Sequence, residues 1–314
     1  TLSDAIPEKL SQCIVSGNEI QTIASMCNAT NSLDFSIMER TAFTKMYKKA
    51  KEKGTEAISM EYDIPQEEVE VLLPSLIVLN RLLKYTVNDS ILLSNVLLSD
   101  AVMFEMLFPK EASFVVKAYE EFTLQSATSI AERFGRDIGH ISRVSSVAIE
   151  IYDKMKKLHG YKSRERTLLQ VSAILQDIGK YVNVKNHALL SYNTITNLDI
   201  VGINDHERLI IATVCYYHNG NIPSMDSPIY NQLSQEDRVM VSKLAAILQI
   251  SNAINTSHSP KFEQVSVNMK NGKLNIYLTT LKNINLEKWA FIAKSKLFKE
   301  VYGLNATIIK RGVL

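Results

Sequence analysis

Four positions between residues 140 and 218 carry the side chains that proteins use to bind metal ions. They are His140, Asp177, His187 and His218, and zinc, iron and manganese are bound by imidazole nitrogens and carboxylate oxygens. The helix predicted to begin near His140 has its apolar residues on one stripe, and His140 continues that stripe, so its imidazole should point inward. The set predicts a buried metal site, or what remains of one, among helices.

Two amides stand where this set would be completed. Gln176 precedes Asp177, and Asn252 follows His218. In this order the residues resemble the HD superfamily of metal-dependent phosphohydrolases, whose pattern is His…His-Asp…Asp. The resemblance implies a His at position 176 and an Asp at position 252. A neutral carboxamide is a poor ligand for a divalent cation. We expect a degenerate site in which the amides hydrogen-bond to their neighbours and no transition metal is tightly held. The alternative is a metal bound by a reduced ligand set.

A second candidate site is the segment Ser16-Gly17-Asn18, which follows a predicted strand and begins a predicted helix. Backbone amides at a helix start can face a phosphate or a nucleotide. The other interpretation is that Asn18 caps the helix and Gly17 permits a tight turn. Glu19 argues against a phosphate, because its negative charge would repel one.

The composition is that of an ordinary globular protein, with 46% hydrophobic and 22% charged residues among 314. A formal net charge of +2 gives no basis for specific nucleic-acid binding or for attachment to an anionic membrane. No apolar run approaches the roughly 20 residues of a membrane span. Cys13, Cys27 and Cys215 show no paired spacing, which is typical of reduced thiols, so we expect a cytoplasmic protein. The chain begins with Thr1 rather than Met, which suggests a fragment.

The hydrophobic pattern predicts a mostly helical α+β protein in three parts. Residues 1–108 alternate between strands and helices, with too few strands for an independent sheet and with a helix over 40–54 that should stop at Gly54. Residues 109–258 are predicted to form an all-helical, HD-like domain. Residues 259–314 switch to a period of two around Asn271-Gly272, then form a helix and a last strand, which predicts a β-β-α-β appendage.

Both halves resemble one family, the exopolyphosphatase and guanosine pentaphosphate phosphatase (Ppx/GppA) family. Residues 15–27 resemble its strand-loop-helix with a Ser/Thr-Gly-Gly-Thr turn, 67–85 the helix after its Arg-Ala-Asp/Glu signature, and 94–107 its last strand and following helix. The resemblance implies that residues 1–108 are the closing part of an actin- and Hsp70-like α/β lobe. The departures from the family pattern are Asn18, Glu19, Glu68, Ser99 and Ala101.

The resemblance also implies a function. Members of the family hydrolyse phosphoanhydride bonds of inorganic polyphosphate or guanosine pentaphosphate, with Mg²⁺ and the catalytic carboxylate in lobes that this chain does not contain. We therefore expect no catalytic residue and no phosphatase activity in these 314 residues alone. The expected partners are polyphosphate or a phosphorylated guanine nucleotide, and either a second copy of the chain or the missing amino-terminal portion. The alternatives are a non-catalytic sensor of a phosphorylated nucleotide and an HD-type metal phosphohydrolase with a reduced ligand set.

Overall fold

A computed structural model describes residues 9–31, 35–94, 96–257, 261–262, 264–270 and 272–312. The chain divides into two compact units, residues 1–113 and residues 114–314. Thirteen α-helices and two small mixed sheets lie in the described residues, so the protein is mostly helical α+β, as predicted. The predicted boundary at residues 258 and 259 lies outside the described residues.

The first unit is a four-stranded sheet with helices. Its strands are β1 Ile14–Val15, β2 Thr30–Asn31, β3 Phe35–Glu39 and β4 Ser90–Ser94. Its helices are α1 Asn18–Met26, α2 Arg40–Tyr62, α3 Gln66–Leu82 and α4 Leu98–Leu107, with a 3₁₀ turn at Leu83–Tyr85. The strand order is β1-β4-β3-β2, in which only β1 and β4 are parallel.

The first unit differs from the prediction in its sheet. The strands do form a sheet with its own apolar core, in which Ile23, Phe43, Leu76 and Ile91 are almost fully buried. The helix predicted over residues 40–54 is interrupted at Gly54, as expected, and a second helical stretch continues α2 as far as Tyr62. Gly54 adopts φ 78° and ψ 173°, a non-helical conformation that residues other than glycine rarely adopt, so α2 is two helical stretches joined at a kink.

The second unit contains the remaining helices. They are α5 Ser113–Arg133, α6 Ile138–Lys154, α7 Lys156–His159, α8 Ser163–Leu175, α9 His187–Ile195, α10 Asp205–Tyr217, α11 Pro228–Asn231, α12 Gln235–Ile254 and α13 Asn285–Tyr302. A 3₁₀ turn at Ile178–Tyr181 joins α8 to the segment before α9. The helices predicted around residues 164–177, 206–218 and 235–254 are confirmed as α8, α10 and α12.

A three-stranded sheet completes the second unit. Its strands are β5 Gln264–Lys270, β6 Lys273–Thr279 and β7 Asn305–Arg311, in the order β5-β6-β7. The predicted hairpin is confirmed, since β5 and β6 are antiparallel and Lys270 pairs with Lys273; Asn271 lies outside the described residues. Leu274, Ile276 and Phe298 share one apolar core with the helices. The β-β-α-β segment therefore packs as part of the helical unit.

No helix of the described residues has the length and apolar character needed to cross a bilayer.

Candidate functional site: a His/Asp cluster among helices

The four predicted metal-ligand residues come together inside the second unit, at the ends of four different helical segments. His140 is the third residue of α6, Asp177 directly precedes the 3₁₀ turn, His187 begins α9 and His218 follows the last residue of α10. All four side chains are buried. These residues are far apart in sequence, but each lies at a helix end and places one polar side chain in the same buried cluster.

The segment carrying Asp177 is fixed to α9 by a single hydroxyl. Ser191 Oγ donates to the carbonyl of Gln176 at 2.8 Å and accepts from the backbone N–H of Gly179 at 2.9 Å. Gly179 lies so close to α9 that a Cβ there would overlap the carbonyl oxygen of His187. These contacts hold the carboxylate of Asp177 beside the first turn of α9.

Asp177 has a different set of neighbours at each carboxylate oxygen. Oδ1 lies 3.3 Å from His218 Nε2 and 3.6 Å from His187 Nε2. Oδ2 lies 2.7 Å from Lys180 Nζ and 4.0 Å from His140 Nε2. Burial raises the pKa of this carboxyl, but its contacts with His218 and Lys180 outweigh burial and hold the pKa well below the usual range. Asp177 is therefore a buried anion.

His187 and His218 are oriented by backbone carbonyls. His187 Nδ1 lies 2.7 Å from the carbonyl oxygen of Val184, and His218 Nδ1 lies 2.5 Å from that of Cys215. A carbonyl can only accept, so each Nδ1 carries a hydrogen and donates it. In the neutral rings both Nε2 atoms then present lone pairs, which is the usual state of metal-binding histidines.

The two Nε2 lone pairs and Asp177 Oδ1 point at one another. The two Nε2 atoms are 3.3 Å apart, and the three ligand atoms all lie within 4.8 Å of one another. Three electron-rich atoms at this spacing repel one another unless a proton or a cation lies between them. A tetrahedral ion with bonds of 2.0–2.1 Å sets its ligand atoms about 3.3–3.4 Å apart. Asp177, His187 and His218 therefore fit either a proton donated by His218 to Asp177 or one divalent cation.

His140 and Gln176 do not complete a second set of ligands. The Asn255 amide lies 2.8 Å from His140 Nδ1 and donates to it, so the neutral ring carries its hydrogen on Nε2. Gln176 is buried, and in the described residues neither atom of its amide has a hydrogen-bond partner. Both residues line a cavity of about 80 Å³ together with Arg136 and Lys180. A proton-bearing nitrogen and an ammonium group are unsuited to a metal ion.

The expectation that Gln176 and Asn252 hydrogen-bond to the cluster is wrong for both amides, and sequence reasoning missed two lysines. Asn255, rather than Asn252, hydrogen-bonds to His140; Asn252 is half-buried, and no described hydrogen bond joins its side chain to the cluster. Lys180 pairs with Asp177, and the i,i+3 spacing of the two residues could have indicated that pair. Lys294 comes from α13, more than 100 residues away. The pKa of Lys294 is lowered, because burial and the charge of Lys180 outweigh the opposing effect of Asp177.

The segment Ser16-Gly17-Asn18 follows β1 and begins α1, as predicted. The capping interpretation of Asn18 is wrong, because Gly17 occupies the N-cap position, Asn18 is the first helical residue and no side chain caps α1. Ser16 Oγ donates to the carbonyl of Val96 at 3.2 Å. Asn18 lines a cavity of about 440 Å³ whose other lining residues include Glu19, Glu67 and Glu68. Three carboxylates at this cavity oppose an anionic ligand on that side of Asn18.

The helical unit matches a known protein family. Residues 124–297, which are more than half of the chain, match the family described as Ppx/GppA phosphatase, domain III. The matched range contains the whole His/Asp cluster together with Lys180 and Lys294.

Proposed function

The chain belongs to the Ppx/GppA phosphatase family, and from this premise we propose that it is the carboxyl-terminal part of an enzyme that hydrolyses phosphoanhydride bonds of inorganic polyphosphate or guanosine pentaphosphate. The observation that carries the proposal is the match of the helical unit to domain III of these phosphatases. The order of elements in residues 1–113 supports it, because a strand, a Gly-containing turn and a helix stand where the resemblance to the family implies them.

In this proposal the hydrolytic chemistry belongs to residues outside these 314. Phosphoanhydride hydrolysis needs Mg²⁺ and several N–H donors to offset the charge of the substrate. The sequence offers one turn of that kind, Ser16-Gly17-Asn18, and Glu19, Glu67 and Glu68 line the cavity beside it. The helical unit would then shape the path of the substrate or an interface with a second subunit.

A second candidate function is favoured by the His/Asp cluster. Asp177, His187 and His218 would hold a divalent cation. When bound, such a cation lowers the pKa of a water molecule, so that hydroxide is available near neutral pH to attack phosphorus. The carbonyls of Val184 and Cys215 would keep the two imidazoles turned toward that cation. This arrangement is that of an HD-type phosphohydrolase with a reduced ligand set.

Phosphate release separates these functions. We expect the protein produced from the whole gene to release phosphate from polyphosphate or guanosine pentaphosphate with Mg²⁺, and the 314-residue chain to release none. A longer protein that binds either compound without releasing phosphate would instead be a sensor. Release by the 314-residue chain that is lost in His187→Gln would establish the second candidate.

A further inference from the structure

A small cavity lies beside Asp177 in the second unit. Its volume is about 80 Å³, and the described residues that line it include Lys180 and His140 but neither His187 nor His218. One water molecule occupies about 30 Å³ in the liquid. The cavity therefore has room for two or three water molecules or for one small polyatomic ion, and it is too small for a nucleotide.

The amide of Gln176 lines this cavity, and the residue is only 1% exposed. Among the described residues, neither the oxygen nor the nitrogen of the amide has a hydrogen-bond partner. Polar atoms buried this deeply nearly always have one, because leaving them without a partner costs free energy. The amide nitrogen can only donate and the amide oxygen can only accept. A ligand suited to Gln176 therefore offers both an acceptor and a donor.

Three further donors line the same cavity. Arg136 is positioned by its Nε, which donates to the carbonyl of Phe134 at 3.0 Å, and Lys180 contributes an ammonium group. His140 carries its hydrogen on Nε2, because its Nδ1 accepts from Asn255. Guanidinium, ammonium and imidazole N–H groups are strong donors to the oxygens of anions. These donors favour an oxyanion over a neutral ligand.

Two carboxylates of the lining determine which oxyanion fits. Asp137 Oδ1 accepts from the N–H of Gly139 at 2.9 Å, and Asp177 Oδ2 accepts from Lys180 at 2.7 Å. Their formal charges balance those of Arg136 and Lys180. A carboxylate and an amide oxygen repel an anion that has acceptor atoms only, whereas an anion that keeps a hydroxyl group can donate to them. The cavity therefore suits a protonated oxyanion.

We propose that this cavity is a binding site for one inorganic orthophosphate ion. Near neutral pH orthophosphate keeps at least one hydrogen, so it offers acceptor oxygens together with a hydroxyl donor. Gln176 would donate to one oxygen through Nε2 and accept from the hydroxyl at Oε1, while Arg136 and Lys180 offset the charge. Sulfate has the same tetrahedral shape but no hydrogen to donate. The proposal concerns binding alone and stands whether or not the chain hydrolyses any substrate.

Calorimetric titration of the 314-residue chain with orthophosphate and with sulfate tests the proposal. The chain is first dialysed against EDTA, so that no metal ion bridges it to the anion. We expect one orthophosphate to bind per chain and sulfate to bind at least about 10-fold more weakly, because a site built to hydrogen-bond a hydroxyl rejects an analogue that lacks it. No binding of orthophosphate, as for a cavity that holds only water, or equal affinities for the two ions would overturn the proposal.

Tripolyphosphate shows whether the site takes a free ion or the end of a phosphate chain. The cavity holds a single phosphate group, so we expect tripolyphosphate not to displace orthophosphate from it. Displacement at similar concentrations would show that the site takes a chain end, and the assignment to free orthophosphate would then be wrong.

Substitution of Gln176 tests the role of the amide. Gln176→Leu removes both hydrogen-bonding atoms at a similar volume, and we expect it to weaken orthophosphate binding about 10-fold or more. Gln170→Leu is the matched control on α8, because Gln170 lines a different cavity and its loss should leave the affinity unchanged. Near-ultraviolet circular dichroism shows whether each variant folds. An unchanged affinity in folded Gln176→Leu would contradict the proposal, and the comparison with sulfate decides it on the unaltered chain in either case.

Discussion

Single hydrogen bonds decide what each histidine in the cluster can do. His187 and His218 donate through Nδ1 to carbonyls and offer Nε2 lone pairs, whereas His140 accepts at Nδ1 from Asn255 and offers an N–H. These residues were found from sequence because their types and order are informative. The tautomers of these histidines could not be predicted from the sequence. Each tautomer depends on a carbonyl or an amide whose position is determined only by the folded backbone.

A fourth histidine, His159, is also buried but belongs to an aromatic cluster. Its ring lies 4.1 Å from that of Tyr152 and 5.6 Å from that of Tyr161. Nε2 donates to the carbonyl of Tyr152 at 2.9 Å, and Nδ1 accepts from the N–H of Tyr161 at 3.0 Å. Both nitrogens are satisfied only in the neutral ring. His159 is buried because the rings of Tyr152 and Tyr161 pack against it.

We expect His159 to make the fold sensitive to acid. Burial lowers its pKa below the ordinary value of about 6.5. Below about pH 6.5 the imidazole binds a proton more readily in the unfolded chain than in the folded chain. The contribution of neutral His159 to the free energy of unfolding is therefore complete above about pH 6.5 and is lost as the pH falls below that value. Urea unfolding at about pH 7.5 and about pH 5.5 should show a larger loss for the unaltered chain than for His159→Gln. Equal losses in the two proteins would contradict this assignment.

At the scale of elements, helix ends and one tight turn build the site. The periodicity of two or 3.6 residues identified α8, α10, α12 and the β5–β6 hairpin correctly, because each has a long apolar face against one core. The interruption at Gly54 was predicted, but the helical stretch that follows it as far as Tyr62 was not, because local sequence does not show that a second helix begins directly after a kink. The packing of the β-β-α-β segment into the helical core depends on contacts that no local pattern encodes.

Gly179 tests whether the turn after α8 sets the position of Asp177 against α9. An added Cβ would overlap the His187 carbonyl oxygen and lie 2.5 Å from the backbone nitrogen of Ser191. We expect Gly179→Ala to lower the free energy of unfolding by about 1–3 kcal/mol or more, and to weaken cation binding because it displaces His187. Gly312→Ala is the matched control, since nothing lies within 4 Å of its added Cβ. Equal free energies of unfolding for the two variants would contradict this expectation, because they would show that the turn can move to accommodate the added methyl group.

At the scale of the whole molecule, apolar surface distinguishes α4 from the other helices. Every residue of α4 is exposed, including Leu98 at 81%, Met106 at 77% and Leu107 at 66%. An exposed helix that is mostly apolar is typical of an interaction surface. The family and the mostly helical fold could be predicted from the sequence. The partner of α4 could not, because an apolar helix pattern does not identify what covers it.

We expect the chain to self-associate through this helix, since a second copy of the chain is one of the partners expected from the sequence and the apolar residues of α4 are exposed. Sedimentation velocity should show larger species as the concentration rises, and Met106→Glu should shift them toward monomer. Met60→Glu is a matched control, because Met60 is 85% exposed and lies on α2. A monomer at every concentration, or equal effects of the two substitutions, would count against association through α4.

The measurement that tests the account most directly is phosphate release by the purified 314-residue chain. Polyphosphate and guanosine pentaphosphate should each be supplied with Mg²⁺, and separately with Mn²⁺ or Zn²⁺ so that the site formed by Asp177, His187 and His218 can bind its cation. The account predicts no release above the uncatalysed background under any of these conditions, because the proposed function assigns the Mg²⁺ and phosphate loops to residues outside these 314. Release at enzymatic rates with Mg²⁺ would contradict it.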